Sequence, residues 1–257
     1  MTRSIGECLL GVRSAIGLLT RIPVYSRLGR LEDSGSRWAL AHLPLVGTLI
    51  GSIGALVWLS SARLNDGARA WLVIAALLLV TGAFHEDGLA DTADALGGAS
   101  DRVRLFEILK DSRIGSYGAL ALIVALGLRA ALLARLLPES GWLLVVAQTV
   151  SRLPPVLLLR CLPYVTPGDS ARSARFAQAK TSHVLVASAW AASLCGASVP
   201  LASLALERLA GALGMVALAG LWLAWRFRRR AGGVTGDFLG AAQQVSELAF
   251  LVGLALQ

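Results

Sequence analysis

The sequence predicts an all-α, polytopic integral membrane protein built as one domain over 1–257. Three observations lead there. Of its 257 residues, 56% are apolar and 16% are charged, against roughly a quarter charged in soluble domains. The apolar residues gather in long runs, and a helix needs about 20 such residues to cross a bilayer. The basic residues are spread unevenly over the loops between those runs. The apolar content excludes a disordered chain, and the absence of ten-residue alternating segments argues against a β-barrel.

Taken in order, a first stretch at 8–20 is apolar but carries Arg13. It suits a short interfacial helix better than a cleavable signal peptide. Seven spans are then expected, at 38–60, 68–84, 114–137, 141–162, 184–206, 208–226 and 238–257. The fourth contains Pro154-Pro155, which removes backbone donors and should kink it. The seventh carries Gln243, Gln244 and Glu247, so it cannot face lipid all round. With the N-terminus inside, the loops 1–37, 85–113, 163–183 and 226–237 hold seventeen of the 24 Lys+Arg. The outer junctions hold three: Arg63, Arg69 and Arg208. This asymmetry places the N-terminus in the cytoplasm of a cell bounded by its inner membrane, and the C-terminus outside. The net charge of +8 is thereby assigned to topology, and no nucleic-acid partner is expected. Cys8, Cys161 and Cys195 lack any CxxC spacing and are expected to act as small apolar residues.

The segment 85–113 stands apart because it holds seven of the sixteen acidic residues. Read as a helix at about 100° per residue, Asp91 lies about 40° from Asp87, and Asp94 about 20° away on the other side. Glu86 can reach toward the same face. Like charges at this spacing destabilise a helix, and Leu89, Ala90, Ala93, Ala95 and Leu96 between them indicate partial burial. A solvated acidic face is the plain alternative. A buried acidic stripe needs a positive partner, and a hard, oxygen-seeking cation such as Mg²⁺ fits. Glu86, Asp87, Asp91 and Asp94 are therefore the expected metal ligands.

Two further polar segments lie on the same expected side. Lys110-Asp111-Ser112-Arg113-Ile114-Gly115-Ser116-Tyr117-Gly118 opens the third span, and a helix start offers free N–H groups suited to phosphate. Membrane-edge anchoring by Lys110 and Arg113 is the alternative. Thr235-Gly236-Asp237 opens the last span, where Asp237, Gly240, Gln244 and Glu247 share a helical face. Asp237 also suits an N-terminal cap, whereas Glu247 needs a partner. Arg152, inside the fourth span, must pair with an anion, either a carboxylate or a substrate phosphate. Carboxylates for metal beside cations for phosphate point to phosphoryl transfer from a diphosphate donor.

Thr20-Arg21-Ile22-Pro23, Pro44-Leu45-Val46-Gly47, His85-Glu86-Asp87-Gly88-Leu89-Ala90-Asp91, the segment 110–118, and Thr235-Gly236-Asp237 with Leu239-Gly240-Ala241 together resemble the cobalamin synthase family. That family is adenosylcobinamide-GDP ribazoletransferase. The likeness covers nearly the whole chain with the motifs in order, although Val234 stands where an aromatic residue is expected. The resemblance implies a Mg²⁺-dependent membrane transferase. It would join adenosylcobinamide-GDP to α-ribazole, or its 5′-phosphate, and release GMP without a covalent intermediate. It implies Asp87, Asp91, Asp111 and Asp237 as catalytic candidates, one of which takes the proton of the attacking 5′-hydroxyl. It implies His85, Lys110, Arg113, Ser116 and Arg152 as substrate-binding candidates. A homo-oligomer is compatible with all of this. A CDP-alcohol phosphotransferase is disfavoured because no Ala-Arg pair follows Asp87-Gly88. A cation-coupled transporter is disfavoured because the acids cluster toward one end and the halves show no symmetry.

Overall fold

In the computed structural model, residues 2–24, 38–165, 178–201 and 204–256 are described. Parts of the loops 1–37 and 163–183, and the side chain of Cys8, lie outside them. The described residues form helices: α1 (Thr2–Leu19), α2 (Leu43–Ser60), α3 (Asp66–Thr81), α4 (Phe84–Gly98), α5 (Arg102–Ile108) and α6 (Ser116–Leu136). Then follow α7 (Trp142–Val150), α8 (Leu153–Cys161), α9 (Thr181–Leu201), α10 (Leu206–Ala231) and α11 (Gly236–Ala255). A turn of 3-10 helix, Ala39–His42, leads into α2. Tyr164 and Val234 form an isolated parallel bridge.

Six helical segments among the described residues are long and apolar enough to cross a membrane, and a seventh counts if α3 and α4 are one bent span. Helix α3 alone rises about 24 Å, short of the roughly 30 Å hydrocarbon core. The expected span at 68–84 thus ends at a 92° bend, beyond which the segment assigned to a cytoplasmic loop begins with a second helix, α4. The bend has a local cause. Gly82 and Ala83 both take left-handed backbone angles, with φ of 69° and 59°, which ends α3 and starts α4 in a new direction. The Arg21 side chain fills the space a Cβ on Gly82 would need, and its backbone N–H donates to Val80 at 2.8 Å.

The fourth span breaks at Ser151-Arg152, just ahead of Pro154-Pro155, which sit in the first turn of α8. Proline is tolerated there because first-turn N–H groups have no helical partner. Close helix pairs use small residues, as membrane bundles do. A Cβ on Gly51 of α2 would lie 2.7 Å from the Val145 Cα of α7, and one on Gly253 of α11 would lie 2.5 Å from the Ala212 Cα of α10. Phe227 of α10 stacks on Phe238 of α11 at 4.2 Å between ring centroids. The α10–α11 connector is held by Val234 N–H donating to Pro163 O at 2.9 Å and Val165 N–H donating to Val234 O at 2.8 Å. Val234 is fully buried, so the aliphatic side chain serves where an aromatic was expected.

Candidate active site

Helix α4 carries the acidic segment into the bundle, packed on α6 and α11. Glu86, Ala90 and Asp94 recur every four residues and make one ridge along it. That ridge faces α6. Asp94 Oδ2 accepts from the Gly115 N–H at 2.8 Å, and Oδ1 from the Gly118 N–H at 2.9 Å. The glycines of the 110–118 segment make room for this carboxylate, since a Cβ at either position would collide with it. The helix start expected to receive a phosphate therefore gives two of its N–H groups to Asp94. At the other end of the ridge, Glu86 is 6% exposed. It meets Arg129 of α6 at 3.3 Å and accepts from Gln244 Nε2 of α11 at 3.0 Å.

Asp87 and Asp91 fall beside that ridge, Asp87 exposed and Asp91 partly so. Gly88 abuts the first turn of α11, where a Cβ would lie 2.8 Å from Asp237 O. Helix α11 is capped by Thr235, whose side chain accepts from the Phe238 N–H at 3.3 Å. Asp237, one residue into the helix, is half-buried. Asp87 and Asp237 repel each other, and both repel Asp91. The three make an open acidic group between the starts of α6 and α11.

Among the described residues no three His, Cys, Asp or Glu side chains form a ready-made metal cage. The expected four-carboxylate set is divided by the fold: Glu86 is engaged by Arg129 and Gln244, and Asp94 by the Gly115 and Gly118 N–H groups. Asp87 and Asp91 do fit Mg²⁺, which takes one or two carboxylates and completes its shell with water and substrate phosphate.

The other expected residues separate in the same way. Asp111 is joined to Arg113 at 2.7 Å, and the guanidinium holds its carboxyl down at about 2. Asp111 and Arg113 thus satisfy one another in the loop. Lys110, Arg113 and Ser116 are exposed. His85 is 4% exposed, edge-on to Phe84 at 5.5 Å and within electrostatic reach of Arg152 and Arg129; it faces the core, not the opening. Arg152 is 2% exposed and donates to both Gln148 O and Gln148 Oε1 at 2.7 Å. Neither residue stands among the open carboxylates.

Beneath the acidic group lies a buried network centred on Arg129, to which the sequence reading gave no role. Arg129 is 3% exposed and joins Glu86 at 3.3 Å to Glu247 at 2.8 Å. Gln243 Nε2 donates to Glu247 Oε2 and to Ser151 Oγ, both at 3.0 Å. Gln244 Nε2 also donates to Gln243 Oε1 at 2.8 Å. Glu247 thereby finds the partner its position required. With Arg152 nearby, two buried cations face two buried anions, and removing one member of such a set costs about 3–5 kcal/mol. An arginine inside a span was the available signal, but its partners lie 43 or more residues away.

A family model described as cobalamin-5-phosphate synthase matches residues 11–255. The chain belongs to the cobalamin-5-phosphate synthase family. A relative from Leptothrix cholodnii, named adenosylcobinamide-GDP ribazoletransferase, is 44% identical, covering 93% of this chain and 92% of its own. Relatives of the same name from a Polaromonas species and from Sinorhizobium medicae are 40% and 38% identical. Each match covers 94% or more of this chain and 95% of the relative. No solved structure matches the chain. The cobalamin-5-phosphate synthase family is thus one of transferases, as the sequence motifs imply, and the model match spans every helix that contributes to the acidic group.

Proposed function

We propose that this chain transfers the adenosylcobinamide-phosphate part of adenosylcobinamide-GDP to α-ribazole or its 5′-phosphate, releasing GMP, with Mg²⁺ as cofactor. One observation supports this above all. In a member of this family, Asp87, Asp91 and Asp237 remain open between two helix starts while the neighbouring acids are engaged by protein. Asp87 and Asp91 would hold the metal. When bound, it would neutralise charge on the diphosphate oxygens.

The reaction is an in-line displacement at the β-phosphorus. A ribose hydroxyl forms the new P–O bond, the bridging P–O bond breaks, and GMP leaves with the electron pair. The attacking group differs from the 5′-hydroxyl that the sequence reading implied. In the 5′-phosphate acceptor that oxygen is already esterified, so an attack common to both acceptors comes from another ribose hydroxyl. Asp237 takes its proton. Asp111 is withdrawn by Arg113, whereas Asp237 stands on a different helix from the two metal carboxylates and faces them. Lys110, exposed in the loop before α6, supplies positive charge for the phosphates. The charge asymmetry of the loops supports an inner-membrane location with this opening at the cytoplasmic rim.

The test is GMP release by purified protein given adenosylcobinamide-GDP, α-ribazole and Mg²⁺. Release is expected, with arrest by EDTA and recovery on adding Mg²⁺. No release with Mg²⁺ present, or turnover undiminished in chelator, would overturn the proposal.

A further inference from the structure

Helix α4 follows a break of two left-handed residues, so its rotation about its own axis is not inherited from α3. Contacts made by α4 itself must set it. Two polar pins lie on the α6-facing ridge, eight residues apart: Asp94 on the Gly115 and Gly118 N–H groups, and Glu86 on Arg129. Glu86 is the immediate neighbour of Asp87. Arg129 does more than neutralise it, because the same guanidinium reaches Glu247 on α11 at 2.8 Å. Gln244, also on α11, holds Glu86 from that side at 3.0 Å. The Glu86 side chain is thus located from two helices at once.

We propose that Arg129 is a positioning residue that, through Glu86, fixes the rotation of α4 and hence the aim of Asp87 and Asp91. This rests on the reading that those two carboxylates serve the reaction. Stability alone is a poor reason for the arrangement, since a buried ion pair is often no better than well-packed apolar side chains. Among the described residues, Glu86 Oε2 and Arg129 Nε also have no hydrogen-bond partner, so the network is not saturated as a purely stabilising one would be. It does supply direction: the contacts converge on the residue beside Asp87 from two helices.

The experiment uses the full chain in detergent, with Arg129→Gln, Arg129→Lys and the milder Glu86→Gln, which keeps an acceptor for Gln244. Mn²⁺ binding is read by electron paramagnetic resonance, turnover by GMP release, and α4 order by amide hydrogen exchange. Residues that orient metal carboxylates typically change metal affinity or activity by about 10–100-fold. Folded Arg129→Gln should show a loss of that size and faster exchange in α4, with exchange in α9 unchanged and part of the loss restored in Arg129→Lys. Folded Arg129→Gln with wild-type Mn²⁺ affinity, turnover and α4 exchange would overturn the inference. If Arg129→Gln does not fold, Glu86→Gln is judged by the same three readings. A wild-type chain that neither binds Mn²⁺ nor needs Mg²⁺ would remove the proposed function. Faster α4 exchange in Arg129→Gln would still support the positioning role in that case.

Discussion

Replacing Asp94 separates an anchoring carboxylate from a metal ligand. Its two oxygens accept the Gly115 and Gly118 N–H groups at 2.8 and 2.9 Å, and the residue is 8% exposed. Hydrogen bonds to a charged group contribute about 1.5–3 kcal/mol each. Asp94→Ala removes both and strands the buried Gly118 donor, so a loss of about 3–5 kcal/mol is expected. Asp94→Asn keeps one acceptor oxygen and turns an NH₂ group toward the other donor, for a loss of about 2–3 kcal/mol. Denaturant titration in mixed micelles, followed by tryptophan fluorescence, measures both. Turnover per folded molecule, measured alongside, should respond to Mg²⁺ as in the wild type, because the lesion lies in the α4–α6 joint. An Asp94→Asn protein within 0.5 kcal/mol of wild type but with an altered Mg²⁺ requirement would refute the anchoring and return Asp94 to the metal.

Asp91→Asn should act in the opposite sense: it relieves repulsion from Asp87 and Asp237, leaving stability unchanged or raised while GMP release falls by at least about tenfold. Gly88→Val should lose about 1–3 kcal/mol in the same titration, because the added atoms enter the α4–α11 contact at Asp237. The Asp111–Arg113 pair should be insensitive to pH through the neutral and mildly acidic range. Its carboxyl is depressed to about 2 by the guanidinium, so the interaction is complete above the ordinary carboxylate range and is lost as pH falls through 2. NMR titration of Asp111 should show an upward return in Arg113→Ala, and no change there would disprove the pairing. A cysteine in place of Ser100, exposed at the end of α4, should react with a membrane-impermeant reagent from the cytoplasmic side of vesicles and not from the other.

Much of the site was legible because it depends on local rules. The i, i+4 spacing put Asp87 and Asp91 together, Thr235-Gly236-Asp237 marked a helix start, although its cap is Thr235 and not the expected Asp237, and Glu247 announced by its depth that it needed a partner. What failed was division of labour within one stripe. Asp94 is only about 20° from Asp87 by helical arithmetic, yet it lies seven residues, about 10.5 Å, further along α4, where two backbone N–H groups at the start of α6 receive it. The same applies to Gly115 and Gly118, whose missing side chains were open to any close approach. Which group made that approach was not a local property.

The sequence alone determined the medium and most of the apolar segments able to cross it. Apolar length and charge content are sums along the chain, and the bilayer tests them segment by segment without reference to partners. It read the acidic segment as a partly buried helix, but could not show which of its carboxylates find partners inside the bundle. Burial of a carboxylate depends on whether a compensating charge or donor arrives, and here those come from Arg129, Gln244, Gly115 and Gly118, each distant in sequence from at least part of α4. Tertiary structure decided which acids are neutralised inside the bundle and which stay open to a ligand, because an ion's partner is chosen by distance in space and not by order in the chain.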